Sequence, residues 1–169
     1  MLSRLAPALV LALLLAVPQF GCSRERAEVD GIGTYKLGHT SMAEAGACSE
    51  REDYTYCSNN GAVAIGGQSG GVDLYFRGKA PEATATEILV VVRRCQPEPI
   101  EEELQKELGA ATYQTGGHSM WVGKKATIIA RLPAEKGICE VTFLHPSETE
   151  RIAKLSPPAA RATAAKTKN

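Results

Sequence analysis

Thr86-Glu87-Ile88-Leu89-Val90-Val91-Val92-Arg93-Arg94 decides the fold. Residues 88–92 are apolar at every position, so whatever they form is buried on more than one face. A helix opening at Pro81 is one reading. Three consecutive valines crowd a helical turn, however, and suit the pleat of a strand, so the segment reads as a central strand. Upstream, Val72-Asp73-Leu74-Tyr75-Phe76-Arg77 alternates, with Val72, Leu74 and Phe76 on one face. Downstream, Ala126-Thr127-Ile128-Ile129-Ala130-Arg131-Leu132 alternates similarly, and residues 138–144 place Cys139, Val141 and Phe143 on one side. Period-two patterns of this length are half-buried strands of an antiparallel sheet.

Turns and helices fill the intervals. Asn59-Asn60-Gly61 separates 54–57 from 62–65 and is expected to close a hairpin between them. Gly116-Gly117, Gly123-Lys124-Lys125 and Ala134-Glu135-Lys136-Gly137 supply further turns. Residues 100–108 set Ile100, Leu104 and Leu108 on one helical stripe, with acids in the first turn and Gly109 as the stop. Ser147-Glu148-Thr149-Glu150 reads as a capping box opening a short helix that buries Ile152 and Leu155. A first helix is expected from Ser41, with Glu44 at N3. The architecture these imply is α+β: an antiparallel sheet with two or three short helices packed on one face, built from two similar helix-plus-strands halves, 41–94 and 100–144. Its other face would be open to a partner.

The ends carry an address. Arg4 precedes an apolar run over 5–17, and no acidic residue occurs before Glu25. Thirteen residues are too few to span a bilayer and suit the h-region of a secretory signal peptide, residues 1–21. The sequence 17–22 ends in Gly21-Cys22, which resembles the lipobox of bacterial lipoproteins, whose cysteine is acylated and becomes the new N-terminus. The chain has five cysteines; lipidation of Cys22 would explain the odd one and leave Cys48, Cys57, Cys95 and Cys139 for disulfides. Four cysteines permit three pairings, of which Cys48–Cys57 and Cys95–Cys139 are favoured. Residues 22–29 then form a tether, 30–155 a single domain, and the Pro/Ala/Thr/Lys-rich 156–169 a disordered tail. Formal net charge is zero for the whole chain, which gives no basic footprint for nucleic acid.

The segment Leu37-Gly38-His39-Thr40-Ser41-Met42-Ala43-Glu44-Ala45 resembles the Gly-x-Thr-x-x-Glu/Gln-Val opening of small outer-membrane lipoproteins of the SmpA/OmlA type. Leu108-Gly109 is similar to the Leu-Gly that ends their helical hairpin. The repeated helix-then-sheet unit also resembles the β-lactamase-inhibitor-protein architecture. These resemblances imply a binding or scaffold protein of the envelope, with no catalytic residue to carry over.

Other constellations point weakly to chemistry. Gly67-Gln68-Ser69-Gly70-Gly71 matches Gly-x-Ser-x-Gly and resembles the Gly-Asp-Ser-Gly-Gly of trypsin-like proteases. A nucleophile elbow needs its serine on a strand-to-helix turn, whereas a strand follows here, so the segment reads as a strand-to-strand loop. His39, His118 and His145 are far apart and never at i, i+4, and no Cys-x-x-Cys exists, so no metal or cofactor is expected. Tyr54, Tyr56, Tyr113 and Trp121 are candidate partner-binding aromatics on the open sheet face. The leading expectation is a non-catalytic cell-envelope lipoprotein, facing the periplasm from the outer membrane, that binds or scaffolds another envelope protein. The alternatives are a secreted protein inhibitor of a hydrolase and a small serine hydrolase using Ser69.

Overall fold

In a computed structural model of the protein, residues 28–158, 160 and 161 are described. The signal peptide, the lipobox cysteine, most of the tether and the end of the expected tail lie outside the described residues.

The described chain opens with a two-stranded ribbon, β1 (Gly31–Ile32) and β2 (Tyr35–Lys36). Nine strands then build one large antiparallel sheet: β3 (Ala47–Glu50), β4 (Thr55–Ser58), β5 (Ala62–Ile65), β6 (Gln68–Phe76), β7 (Ala85–Arg93), β8 (Tyr113–Thr115), β9 (His118–Val122), β10 (Thr127–Glu135) and β11 (Ile138–Leu144). Two helices interrupt the series, α1 (Pro97–Leu108) after β7 and α2 (Thr149–Leu155) after β11. The spatial order is β3-β4-β6-β7-β11-β10-β9-β8, with β5 also paired to β6. The segment 88–92 lies in β7, between β6 and β11, at the centre of the sheet.

The expected α+β arrangement is corrected on three counts. Among the described residues the protein is mostly antiparallel sheet, with two α-helices, of 12 and 7 residues. The first of the two expected halves, residues 41–94, carries no α-helix. Ser41 opens a three-residue 3-10 turn, Met42–Glu44, in which the Ser41 N–H donates to Glu44 Oε2 at 3.0 Å. That turn cannot lengthen, because 47–50 are already extended against β4 and tied to it through Cys48 and Cys57. The two helices also sit on opposite faces. Ile128 and Ile129 are consecutive and 3% and 1% exposed. Neighbours in a strand point to opposite faces, so both faces need cover here. Ile100, Leu104 and Leu108 of α1 join Val72, Leu74, Phe76, Val90, Val141 and Phe143 in the main core. On the other face, Ile152 and Leu155 of α2 pack with Met120, Ile129, Leu144 and Ala160.

Local chemistry explains two further departures. Asn59-Asn60-Gly61 makes no hairpin. β4 and β5 both run antiparallel to β6, Cys57 facing Leu74 and Ala62 facing Gly71, so together they fill one position beside β6, broken by a bulge. Asn59 takes φ 57° and Gly61 φ 117°, and the Asn60 amide donates to the Cys57 carbonyl at 2.8 Å. The left-handed residues are spent on the kink. The hairpin lies later, where Gly66 and Gly67, at φ 57° and 67°, connect Ile65 to its partner Gln68. Gly66 is required twice over: a Cβ there would lie 2.5 Å from the Ile100 nitrogen, where α1 crosses the turn. At the chain end, Ser147 turns back to His145 Nδ1, leaving Glu148 as the N-cap of α2.

Candidate functional site

Tyr54, Tyr56 and Tyr75 form a ladder on the face that α2 partly covers. The Tyr75 ring lies 5.7 Å from that of Tyr54 and 5.0 Å from that of Tyr56, both tilted by about 45–48°. Such offsets are the attractive geometry of aromatic quadrupoles. β4 and β6 produce the pairing directly, because Tyr56 is opposite Tyr75 in register. Arg151 lies 5.9 Å above the Tyr75 ring. The Tyr56 hydroxyl donates to Asp73 Oδ2 at 2.9 Å, and burial, then that bond, raises its pKa. Burial chiefly, with Glu87 next, pushes the Tyr75 phenol up to about 12. Tyr54 is 39% exposed, one of two exposed large apolar side chains among the described residues.

Two buried carboxylates lie behind the ladder. Glu87 on β7 is 4% exposed and accepts two bonds from Arg151, at 2.8 and 2.9 Å. Glu148 at the start of α2 is 5% exposed and accepts two from Arg77, at 2.9 and 2.6 Å. Hydrogen bonding from Arg77 outweighs desolvation and holds the Glu148 carboxyl below its ordinary range. Each forked guanidinium-carboxylate pair ties α2 to the sheet across more than sixty residues of chain. With Tyr54, Asp53, Glu150 and Lys154 they enclose a cleft of about 350 Å³.

A second, larger cavity of about 820 Å³ opens at the end of β9 and β10. Leu108, Trp121, Ala126 and Ile128 line it, with Val29, Val122 and Gly123; Glu28, Lys124 and Lys125 stand at its mouth. Trp121 is 3% exposed, and its indole N–H donates to the Gly109 carbonyl at 2.9 Å. Val122 is 44% exposed. Lys125 Nζ lies 3.3 Å from Glu28 Oε2.

The structure brings Tyr54 and Tyr56 together but sets the other two aromatics apart. Tyr113 lies on β8 at the far edge, against Met120 and its cluster, and Trp121 faces the main core. Ser69 lies in β6 opposite Ala64, two residues past Gly67 of the hairpin, so the segment is strand where a loop was expected. His39 is in the turn after β2, His118 is on β9 opposite Arg131, and His145 follows β11. The disulfides join Cys48 to Cys57 and Cys95 to Cys139. The first links the adjacent strands β3 and β4. Among the described residues, no three His, Cys, Asp or Glu side chains gather as metal ligands. Sequence reasoning missed Tyr75, the two Glu–Arg pairs and the lysine-rimmed cavity. Glu87 was the available signal, an acid beside the apolar run of a central strand.

No protein-family model, curated protein or solved structure matches this chain. Two disulfides mark an oxidising compartment outside the cytoplasm. No helix among the described residues is long and apolar enough to cross a membrane.

Proposed function

We propose that the protein is a non-catalytic cell-envelope lipoprotein, anchored through acylated Cys22, which holds another envelope protein against its Tyr54–Tyr75–Tyr56 ladder. The observation that carries this reading is the ladder itself. Rigid aromatic side chains backed by a half-buried arginine give large contact area at small entropic cost, which is the composition of binding hot spots. Asp53, Glu150 and Lys154 around it supply a polar rim. Ser23 directly after the anchor cysteine fits an outer-membrane destination, in line with the resemblance to lipoproteins.

The test has two arms. Mass spectrometry of the native protein should find a lipid-bearing N-terminal peptide starting at Cys22; an unlipidated start elsewhere would sink the anchoring. Crosslinked complexes recovered from envelopes with the native protein should be lost in a Tyr54→Ala/Tyr56→Ala variant that keeps its melting temperature. A partner retained by that variant would remove the ladder from the reading.

A further inference from the structure

We propose that the free side of β5 is a seam between two copies of this chain, which pair antiparallel about a two-fold axis through Val63 and join their sheets. The inference goes beyond the ladder reading and does not rest on it.

β5 is bonded to β6 on one side only. The Gly66-Gly67 turn joins Ile65 to Gln68, so those two residues close a two-residue hairpin and exchange backbone hydrogen bonds. Alternation along an antiparallel pair then turns the bonding groups of Val63 toward Gly70, and those of Ala62 and Ala64 away from β6. The Gly61 carbonyl, which accepts from the Val72 N–H at 3.1 Å, keeps the same phase. Among the described residues nothing bonds to the Ala62 and Ala64 backbones on that outer side, and both residues are exposed.

The other margins are guarded. β3 carries Glu50, paired with Lys79 at 2.9 Å, and its bridge to β4. β8 has three residues, and its Gln114 side chain donates to Glu101. β5 reads Ala-Val-Ala-Ile, with neither charge nor proline to keep another strand from pairing.

Its own sequence says what fits. Ala62-Val63-Ala64 reads the same in both directions, so a second copy turned by a half-rotation sets Ala62 of one copy opposite Ala64 of the other, twice. Each such pair exchanges both backbone bonds, and Val63 meets Val63 between them. Charge selects the antiparallel sense. The start of α1 crosses the Gly66 turn, where a Cβ on Gly66 would lie 2.5 Å from the Ile100 nitrogen, and Glu98, Glu102 and Glu103 make that end acidic. The two-fold puts the acidic ends of the two copies at opposite ends of the seam, whereas a parallel seam would set them side by side. Strands of four residues bury far less than the roughly 1,000 Å² of a stable interface, so the pairing is weak in dilute solution. Copies anchored on one bilayer would meet far more often.

The test uses the chain after the leader, exported as a soluble Cys22→Ser form with both disulfides intact. Sedimentation equilibrium is followed from about 10 µM to about 1 mM, the span a weak pairing requires. The native seam should give a reversible monomer–dimer equilibrium. Ala62→Lys/Ala64→Lys sets lysine against lysine in both pairs and should leave a monomer throughout; both positions are exposed, so the melting temperature should hold. Ala62→Lys/Ala64→Glu sets opposite charges in both pairs and should tighten the dimer about threefold to tenfold, whereas in a parallel seam it would repel. A wild-type chain that stays monomeric at the highest concentration overturns the seam. So does a dimer that survives the double-lysine change, or a mixed-charge variant weaker than wild type. Each of these outcomes leaves the lipid on Cys22 and the ladder complexes as they are, and loss of either of those leaves the sedimentation result as it is.

Discussion

Glu87 sits on a central strand with 4% of its surface exposed, where an unpaired carboxylate would be expelled or protonated. Arg151 makes the position tolerable, and the cost of removing it should show this. Arg151→Ala leaves a buried charge unmatched and is expected to destabilise by about 2–4 kcal/mol in urea unfolding. Glu87→Met/Arg151→Met, which removes both charges, should recover most of that loss; recovery of none would mean the arginine acts through packing alone. Two groups set the response to acid. The Glu148 carboxyl is held below its ordinary value of 4.5, chiefly by Arg77. The unfolded chain therefore binds that proton more readily, and stability present above pH 4.5 is lost as pH falls through the folded value. The His118 imidazole is held below 6.5, chiefly by burial, with Arg131 and Arg161 adding to it against a bond to the Leu155 backbone. There too the unfolded chain takes the proton first, so stability declines as pH drops below 6.5. Thermal melts should be level above about pH 7, fall gently below it and fall steeply under about pH 4.5. His118→Gln should abolish the gentle phase and Glu148→Gln reduce the steep one. A melting temperature that rises on acidification would contradict both assignments.

The elements differ in how they are held. α2 has seven residues, far below the length at which a helix persists alone, so its existence depends on tertiary contacts. The two forked ion pairs and the packing of Ile152, Leu155 and Ala160 on Met120, Ile129 and Leu144 supply them. A chain ending at Leu155 loses buried Ser156 and Ala160 and is expected to melt several degrees lower, with α2 amides exchanging first. The disulfides rank by loop length. In the chain-entropy model a loop of about 45 residues is worth about 4 kcal/mol and one of about ten about 2.7 kcal/mol. Replacing Cys139 by Ala should therefore cost more, by chemical denaturation, than replacing Cys48; the reverse order would show that β3 contributes more than its exposure suggests. Strands β6, β10 and β11 were legible because period-two alternation survives in any sheet, β7 because three consecutive valines suit a strand, and α1 because its stripe has period 3.6. The bulge at Asn59-Asn60-Gly61 was not. Left-handed residues serve a hairpin or a kink equally well, and only the partner strand decides which.

At the scale of the whole molecule, alternation revealed which side chains share a face but not which helix covers it. Ile128-Ile129 and Val90-Val91-Val92 announced a sheet buried on two sides, yet the α+β expectation put every helix on one. The two clefts were illegible for a related reason. Tyr75 and Glu87 meet Arg151 only after 64 and more residues of chain are folded back, and Leu108 meets Lys124 only where a helix end meets a strand end. An open sheet also has margins. β3, every residue of it exposed, forms one end of the strand order and is stapled to β4 at Cys48 and Cys57. Were β3 to lift away, the backbone donors and acceptors of β4 would become a template for other chains. In a reducing cytosol the nascent sheet would carry an unsecured margin, and the product should collect as inclusion bodies. Export to an oxidising space should return it to the soluble fraction, a difference in yield that a single gel of the two preparations would display.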